Sequence, residues 1–236
     1  MRQMPLQSVH SHTRPSLRLR KLLLHHELAC LVAAGKSAFE GCQSMRSATL
    51  LKVRTIEESA FKDCKSLVQI DAPKALKIGN QAFEGCDELT IASGAHVAEI
   101  GEGAFQNSGR LHQIVMPKVK VIEKSAFENC SQLIYPGELV DTISVGEHSF
   151  RSCTALKKIS MPSVLTVAMG AFMDCSHLHI IEMPKLKTVG DHAFAFIPHM
   201  PTAYFEEVVS VGKSAFRFGS YLSSVYLPAV FFATRT

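Results

Sequence analysis

The hydrophobic positions of this chain repeat on a ruler of 22 residues. Phe39, Phe61, Phe83, Phe105, Phe127, Phe150, Phe172, Phe194 and Phe216 keep that spacing at every step except one of 23, between Phe127 and Phe150. A fixed period of this size over most of a chain marks a solenoid, which grows by stacking identical units and needs no single round core. Ala precedes the Phe in eight units and Ser149 does so in the ninth. Five residues before it stand Ile56, Ile78, Ile100, Ile122, Val145, Val167, Val189 and Val211, with Ala34 the exception. Four before it, Gly recurs, but Glu57, Glu123 and Ala168 share the slot, so a positive φ is not obligatory there. Leu or Met follows six after the Phe, then Ile or Val three later in the better units, then Pro73, Pro117, Pro162, Pro184 and Pro228.

The pattern predicts short strands. Within Leu111–Pro117 and Leu156–Pro162, β-branched and apolar residues alternate with polar ones, and Pro ends each run because it cannot donate to a ladder. The stretch before each Phe, such as Val119–Ile122, is expected to form a second strand. The A-F-x-x-C piece between them is too short for a lasting helix and reads as a turn or a single helical turn. Equivalent positions would then lie about 4.8 Å apart, the spacing of paired strands. The expected architecture is a β-rich solenoid of leucine-rich-repeat type with short parallel strands and about nine coils. It forms one elongated domain over residues 31–236, behind an irregular N-terminal segment or degenerate cap over residues 1–30.

The unit resembles the BspA-like, or Treponema pallidum-type, leucine-rich repeat family. The residues that carry the resemblance are Ile78-Gly79, Ala82-Phe83-Glu84-Gly85-Cys86 and Leu89, and again Ile122, Ser125-Ala126-Phe127-Glu128-Asn129-Cys130 and Leu133. Departures fall at Leu133–Glu147, which holds the extra residue, and at Phe194–Glu206; both coils are expected to bulge or lose a regular strand. The resemblance implies adhesion or protein recognition, often at cell surfaces, without catalysis.

Composition adds few functions. The formal charge is +4, but residues 1–26 hold Arg2, Arg14, Arg18, Arg20 and Lys21 with no acid. Setting these five aside leaves 20 basic against 21 acidic residues, so the array is near neutral and no nucleic-acid partner is expected. No run reaches the roughly 18 apolar residues a membrane-spanning helix needs.

Six of the seven cysteines, Cys42, Cys64, Cys86, Cys130, Cys153 and Cys175, sit three after a ladder Phe, in a slot that also accepts Ser108, Ile197 and Gly219. Metal ligands must converge on a point, whereas this row runs one cysteine per coil, so Cys reads as a small core hydrophobe. None of the eleven histidines belongs to a His-Glu-x-x-His pattern, no Gly-rich phosphate loop follows a strand, and no G-x-S-x-G elbow occurs. The chain is read as a non-enzyme with no cofactor or metal. Asn129-Cys130-Ser131 fits a glycosylation acceptor, yet its middle residue lies in the core ladder.

Binding is expected on side chains that do not keep the repeat. Eight and ten residues after each Phe, the outward strand positions give Gln69, Asp71, Gln113, Val115, Lys158, Ser160, Ile180, Glu182, Thr202, Tyr204, Ser224 and Tyr226. The leading reading is a surface or adhesion-type scaffold for a protein partner; an intracellular assembly or signalling adaptor is the alternative. Location stays open between the cell surface that the resemblance suggests and the cytoplasm, because His25, His26 and Glu27 interrupt the apolar run Leu22–Leu24 that a secretory signal would need. At the other end Phe231 and Phe232 are expected to form an apolar patch for end-to-end self-association, unless the array continues.

Overall fold

A regular coil contributes two strands, one from each run the sequence marks. In a computed structural model, which describes residues 31–200 and 202–219 and the backbone of strand 224–226, three-residue strands follow the Leu slot. They are β1 (Ser47–Thr49), β3 (Gln69–Asp71), β5 (Ile91–Ser93), β7 (Gln113–Val115), β10 (Lys158–Ser160), β12 (Ile180–Glu182), β14 (Thr202–Tyr204) and β16 (Ser224–Tyr226). Two-residue strands end on the Ile/Val slot: β2 (Thr55–Ile56), β4 (Lys77–Ile78), β6 (Glu99–Ile100), β8 (Val121–Ile122), β9 (Ser144–Val145), β11 (Thr166–Val167), β13 (Thr188–Val189) and β15 (Ser210–Val211). All pairing is parallel and in repeat register, as in Ile78↔Ile100 and Ile70↔Ala92. The class is the one the period predicts. Seven full turns separate Phe39 from Phe194, slightly fewer than the nine coils expected, because the outermost units run into residues outside the described set.

The two-residue strands form one continuous eight-stranded sheet, whereas the three-residue strands fall into sheets of four, two and two. The core lies between these walls. Its spine is the Phe row, with neighbouring ring centroids 4.9–5.4 Å apart from Phe39 to Phe194 and planes within 19° of parallel. Offset stacking at this separation is favourable, so each ring stabilises the next coil as well as its own.

The A-F-x-x-C segment forms turns, with no helix among the described residues. In every described coil two residues take left-handed φ, two before and two after the ladder Phe: Gln81 and Gly85 around Phe83, Ser125 and Asn129 around Phe127, Gly170 and Asp174 around Phe172. These conformations turn alternate N–H groups along the solenoid axis. Gln81, Phe83 and Gly85 donate to Glu102, Ala104 and Gln106 of the next coil at 2.7, 2.7 and 2.9 Å. The turn is thereby a third ladder. Gly, Asp, Asn and Ser fill most of these slots because they tolerate positive φ. Phe196 (φ 60°) and Phe218 (φ 59°) are costlier occupants, and their rings stack on each other at 4.9 Å.

The glycine four before each Phe has another role. None of Gly79, Gly101, Gly146, Gly190 and Gly212 has a left-handed φ; a Cβ on Gly79 would sit 2.7 Å from the carbonyl carbon of Glu57. Clearance for the neighbouring backbone is what this slot requires.

The cysteines are core residues, as expected, and also donors. The thiols of Cys64, Cys86, Cys130, Cys153 and Cys175 donate to the carbonyls of Phe39, Phe61, Phe105, Phe127 and Phe150 at 3.0–3.2 Å. Ser108 keeps the bond, its hydroxyl donating to Phe83 at 2.9 Å. Ser thus substitutes for Cys with its donor retained, whereas Ile197 and Gly219 fill the slot without one. Burial pushes the Cys86 thiol up to about 12 and raises Cys130, Cys153 and Cys175 as well. The N-terminal segment over residues 1–30 and the Phe231–Phe232 patch lie outside the described residues.

Candidate functional site: the outer strand face and its break

The three-residue strands point their middle residue inward and their first and third outward, because side chains alternate across a strand. Ile70, Ile114 and Ile159 are buried, while Gln69, Gln113, Val115, Ile180, Glu182 and Tyr204 are exposed and Asp71, Lys158 and Ser160 half-buried. Tyr204 is 67% exposed, more than the apolar face residues Val115 and Ile180. The backbone of β14 and β16 pairs Thr202 with Ser224 and Tyr204 with Tyr226, while the side chains of Thr202, Ser224 and Tyr226 lie outside the described residues.

Neighbouring face residues interact across coils. Ser93 Oγ donates to Asp71 Oδ1 at 2.6 Å, and Lys158 Nζ donates to Glu182 Oε1 at 2.8 Å. Lys158, and then Ser160, hold the Glu182 carboxyl below its usual range. Elsewhere ion pairs also link adjacent coils, as in Lys62–Glu84 and Lys77–Glu99.

The face is not continuous. The coil with the extra residue, expected to bulge or lose a strand, keeps a single bridge, Gln113↔Tyr135, where a strand between β7 and β10 should stand. Among the described residues, Pro136–Asp141 make no backbone hydrogen bond to either neighbouring coil. The other departure, at Phe194–Glu206, does retain a regular strand, β14, though β12 does not pair with it. Tyr204 is exposed and Phe205, just after the strand, is turned into the core.

The break leaves a specific group without its partner. In intact coils the residue after the strand donates to the next coil: Ala72 to Ser93, Gly94 to Val115 and Met161 to Glu182, at 2.9, 3.0 and 2.9 Å. Met116, which holds the same position and is 3% exposed, has no such acceptor among the described residues. Beside it opens a cavity of about 310 Å³ lined by Ile114, Val115, Met116, Tyr135, Gly137 and Glu138. Gly137 takes φ +87° with its Cβ position 2.8 Å from the Ile114 carbonyl oxygen, an approach open to glycine alone. Tyr135 donates its hydroxyl to Glu138 Oε1 at 2.7 Å, and burial, that bond and the nearby carboxylates of Glu138 and Glu182 push the phenol up to about 12. No ion pair to Glu138 occurs among the described residues, and Val115 and Ile134 stand exposed nearby. The sequence signals for this feature were the 23-residue step and the Pro136-Gly137 pair; neither names Met116 or Glu138 as its working residues.

Elsewhere, no group of three His, Cys, Asp or Glu side chains is placed to hold a metal ion among the described residues, and no helix there is long and apolar enough to cross a membrane.

The family model described as "BspA type Leucine rich repeat region (6 copies)" matches residues 30–134 and 140–233. The chain belongs to that family. The residues left between the two matched segments fall at the break in the strand face. None of the curated proteins matches the chain. Among solved structures it is similar to the T. pallidum leucine-rich repeat protein, with 22% identity over 76% of this chain and 79% of that one and a TM-score of 0.59. A leucine-rich repeat protein from Bacteroides ovatus has 19% identity over 85% of this chain and 78% of that one, with a TM-score of 0.39. An internalin from Listeria monocytogenes has 13% identity over 80% of this chain and 54% of that one, with a TM-score of 0.43. At these identities the T. pallidum protein supports the BspA-type fold alone.

Proposed function

We propose that this BspA-type chain is a non-enzymatic scaffold of the surface or adhesion kind, which binds a protein partner on the outer face of its three-residue strands. The observation that carries this reading is the contrast between the two sides of those strands. Inward positions repeat the same few apolar residues, whereas outward ones change from Gln and Asp at β3 to Val at β7, Lys at β10, Ile at β12 and Tyr at β14. A face whose chemistry varies over a constant frame offers a partner many different contacts at fixed spacing. Exposed aromatic residues concentrate binding energy in such faces, which favours Tyr204 and the strand pair β14–β16 that carries it together with Tyr226. The test is capture of partners from surface-exposed host or matrix protein by wild type, Tyr204→Ala and Tyr226→Ala. Retention falls in both variants if the face binds, and equal retention would remove the assignment. Antibody labelling of intact, unpermeabilised cells decides the location: labelling supports the surface reading, and its absence supports the intracellular adaptor.

A further inference from the structure

We propose that the break in the strand face is a docking site for an extended segment of a protein partner, bearing an apolar residue next to a basic one. The inference rests on the protein-binding reading above and names where and by what chemistry one contact is made. The Met116 N–H has no ladder acceptor among the described residues, and Met116, 3% exposed, lines the cavity. A buried amide left without a partner costs free energy that an incoming acceptor recovers. The acceptor that belongs at this position is a strand carbonyl, since in neighbouring coils the equivalent N–H donates to one at 2.9–3.0 Å. A partner in extended conformation supplies such a carbonyl, as in recognition by strand addition.

The rest of the site fits the same ligand. Ile114, Val115 and Met116 give the cavity an apolar wall, and about 310 Å³ accommodates one or two side chains. Glu138 sits at the rim with its carboxylate held by the Tyr135 hydroxyl at 2.7 Å. It has no ion-pair partner among the described residues, whereas Glu182 is already paired with Lys158. A Lys or Arg beside the apolar residue of the partner therefore finds an acceptor already oriented for it. The exposed side chains of Val115 and Ile134 extend the apolar surface along the peptide.

The probe is a capped heptapeptide of alternating valine and lysine, with an alternating valine and glutamate peptide as control, titrated into the full chain by NMR. Saturable binding of the lysine peptide is expected, with exchange of the Met116 amide slowed at least about tenfold at saturation, the sign of a new hydrogen bond. Glu138→Lys lies on the exposed rim, so circular dichroism should match wild type while affinity for the lysine peptide falls at least about fivefold and the control peptide gains. Absence of saturable binding overturns the proposal. So does binding that leaves Met116 exchange unchanged, or that is insensitive to Glu138→Lys. These measurements do not involve Tyr204 or Tyr226: a negative result here with partner capture still lost in Tyr204→Ala removes only the break as a site. The reverse result removes the C-terminal face instead.

Discussion

Replacing a ladder phenylalanine by leucine isolates the stacking that runs through the core. Leucine keeps an apolar side chain of similar bulk, so the main loss in Phe105→Leu is the two ring contacts, 5.2 Å to Phe83 and 5.3 Å to Phe127. At about 0.5–1.5 kcal/mol for each contact, the expected destabilisation is about 1–3 kcal/mol. Phe39 has one ring neighbour among the described residues, Phe61 at 4.9 Å, and residues 1–30 contain no Phe, Tyr or Trp. Phe39→Leu should therefore cost about half as much, about 0.5–1.5 kcal/mol. The double variant Phe105→Leu/Phe127→Leu loses three contacts, not the four that the two single variants lose separately. The pair should fall short of additivity by one contact, about 0.5–1.5 kcal/mol. Phe61→Leu/Phe172→Leu shares no contact and should be additive to within about 0.5 kcal/mol. Urea unfolding followed by circular dichroism gives all these values. Equal costs at Phe39 and Phe105, or strict additivity for the adjacent pair, would refute stacking as the coupling between coils.

The buried thiols give a pH dependence of definite sign. Their folded pKa values lie above the unfolded value, so their contribution to stability is complete below about pH 9 and is lost as pH rises toward 12, where Cys86 ionises in the fold. The loss per thiol is at most about 1.4 kcal/mol per pH unit. Urea midpoints at pH 8, 9 and 10 should fall progressively, and Cys130→Ser, which keeps the donor to Phe105 but does not titrate, should fall less. A flat profile would contradict this account. In the folded protein the same cysteines should resist alkylation at pH 8 and react once urea unfolds the chain, as mass spectrometry would count. Two glycine variants separate clearance from φ. Gly41→Ala meets no atom within 4 Å and pays only for its φ of +68°, about 1–2 kcal/mol. Gly79→Ala places a Cβ 2.7 Å from backbone and should cost more, with the two compared by thermal melting.

Much of the frame was legible in the sequence because the residues that face inward have few alternatives. Ile56, Phe61, Cys64 and Leu67 each occupy a slot that the next coil fills with the same or a similar residue, so periodicity alone marks the core. The alternating face was legible for the same reason, from strand geometry applied to the slots around Ile70 or Ile159. Left-handed positions were harder to see, because their signal is shared among Gly, Asp, Asn and Ser, as at Gly41, Asp63 and Asn107, while the more obvious glycine slot at Gly79 answers to backbone clearance. The cysteine row gave its burial but not its hydrogen bonds, since the acceptor, a carbonyl 25 residues earlier, leaves no mark on composition. An extra residue near Tyr135 announced a disturbance in its coil. Which ladder bond it would remove depended on where Gly137 meets Ile114, and that distance is a property of the stack.

The ladders that join each coil only to its neighbours also set how the molecule would answer a pull on its ends. Strand pairs, turn N–H groups, thiols and ion pairs all connect residues about one period apart, so among the described residues no bond ties distant coils together. Tension would peel the terminal coil before it loaded the one behind. Each release frees 22 residues, about 75 Å of extended chain, from a layer only about 5 Å thick. Under such a pull the surrendered coil would lengthen roughly fifteenfold while the coils behind it keep their face intact.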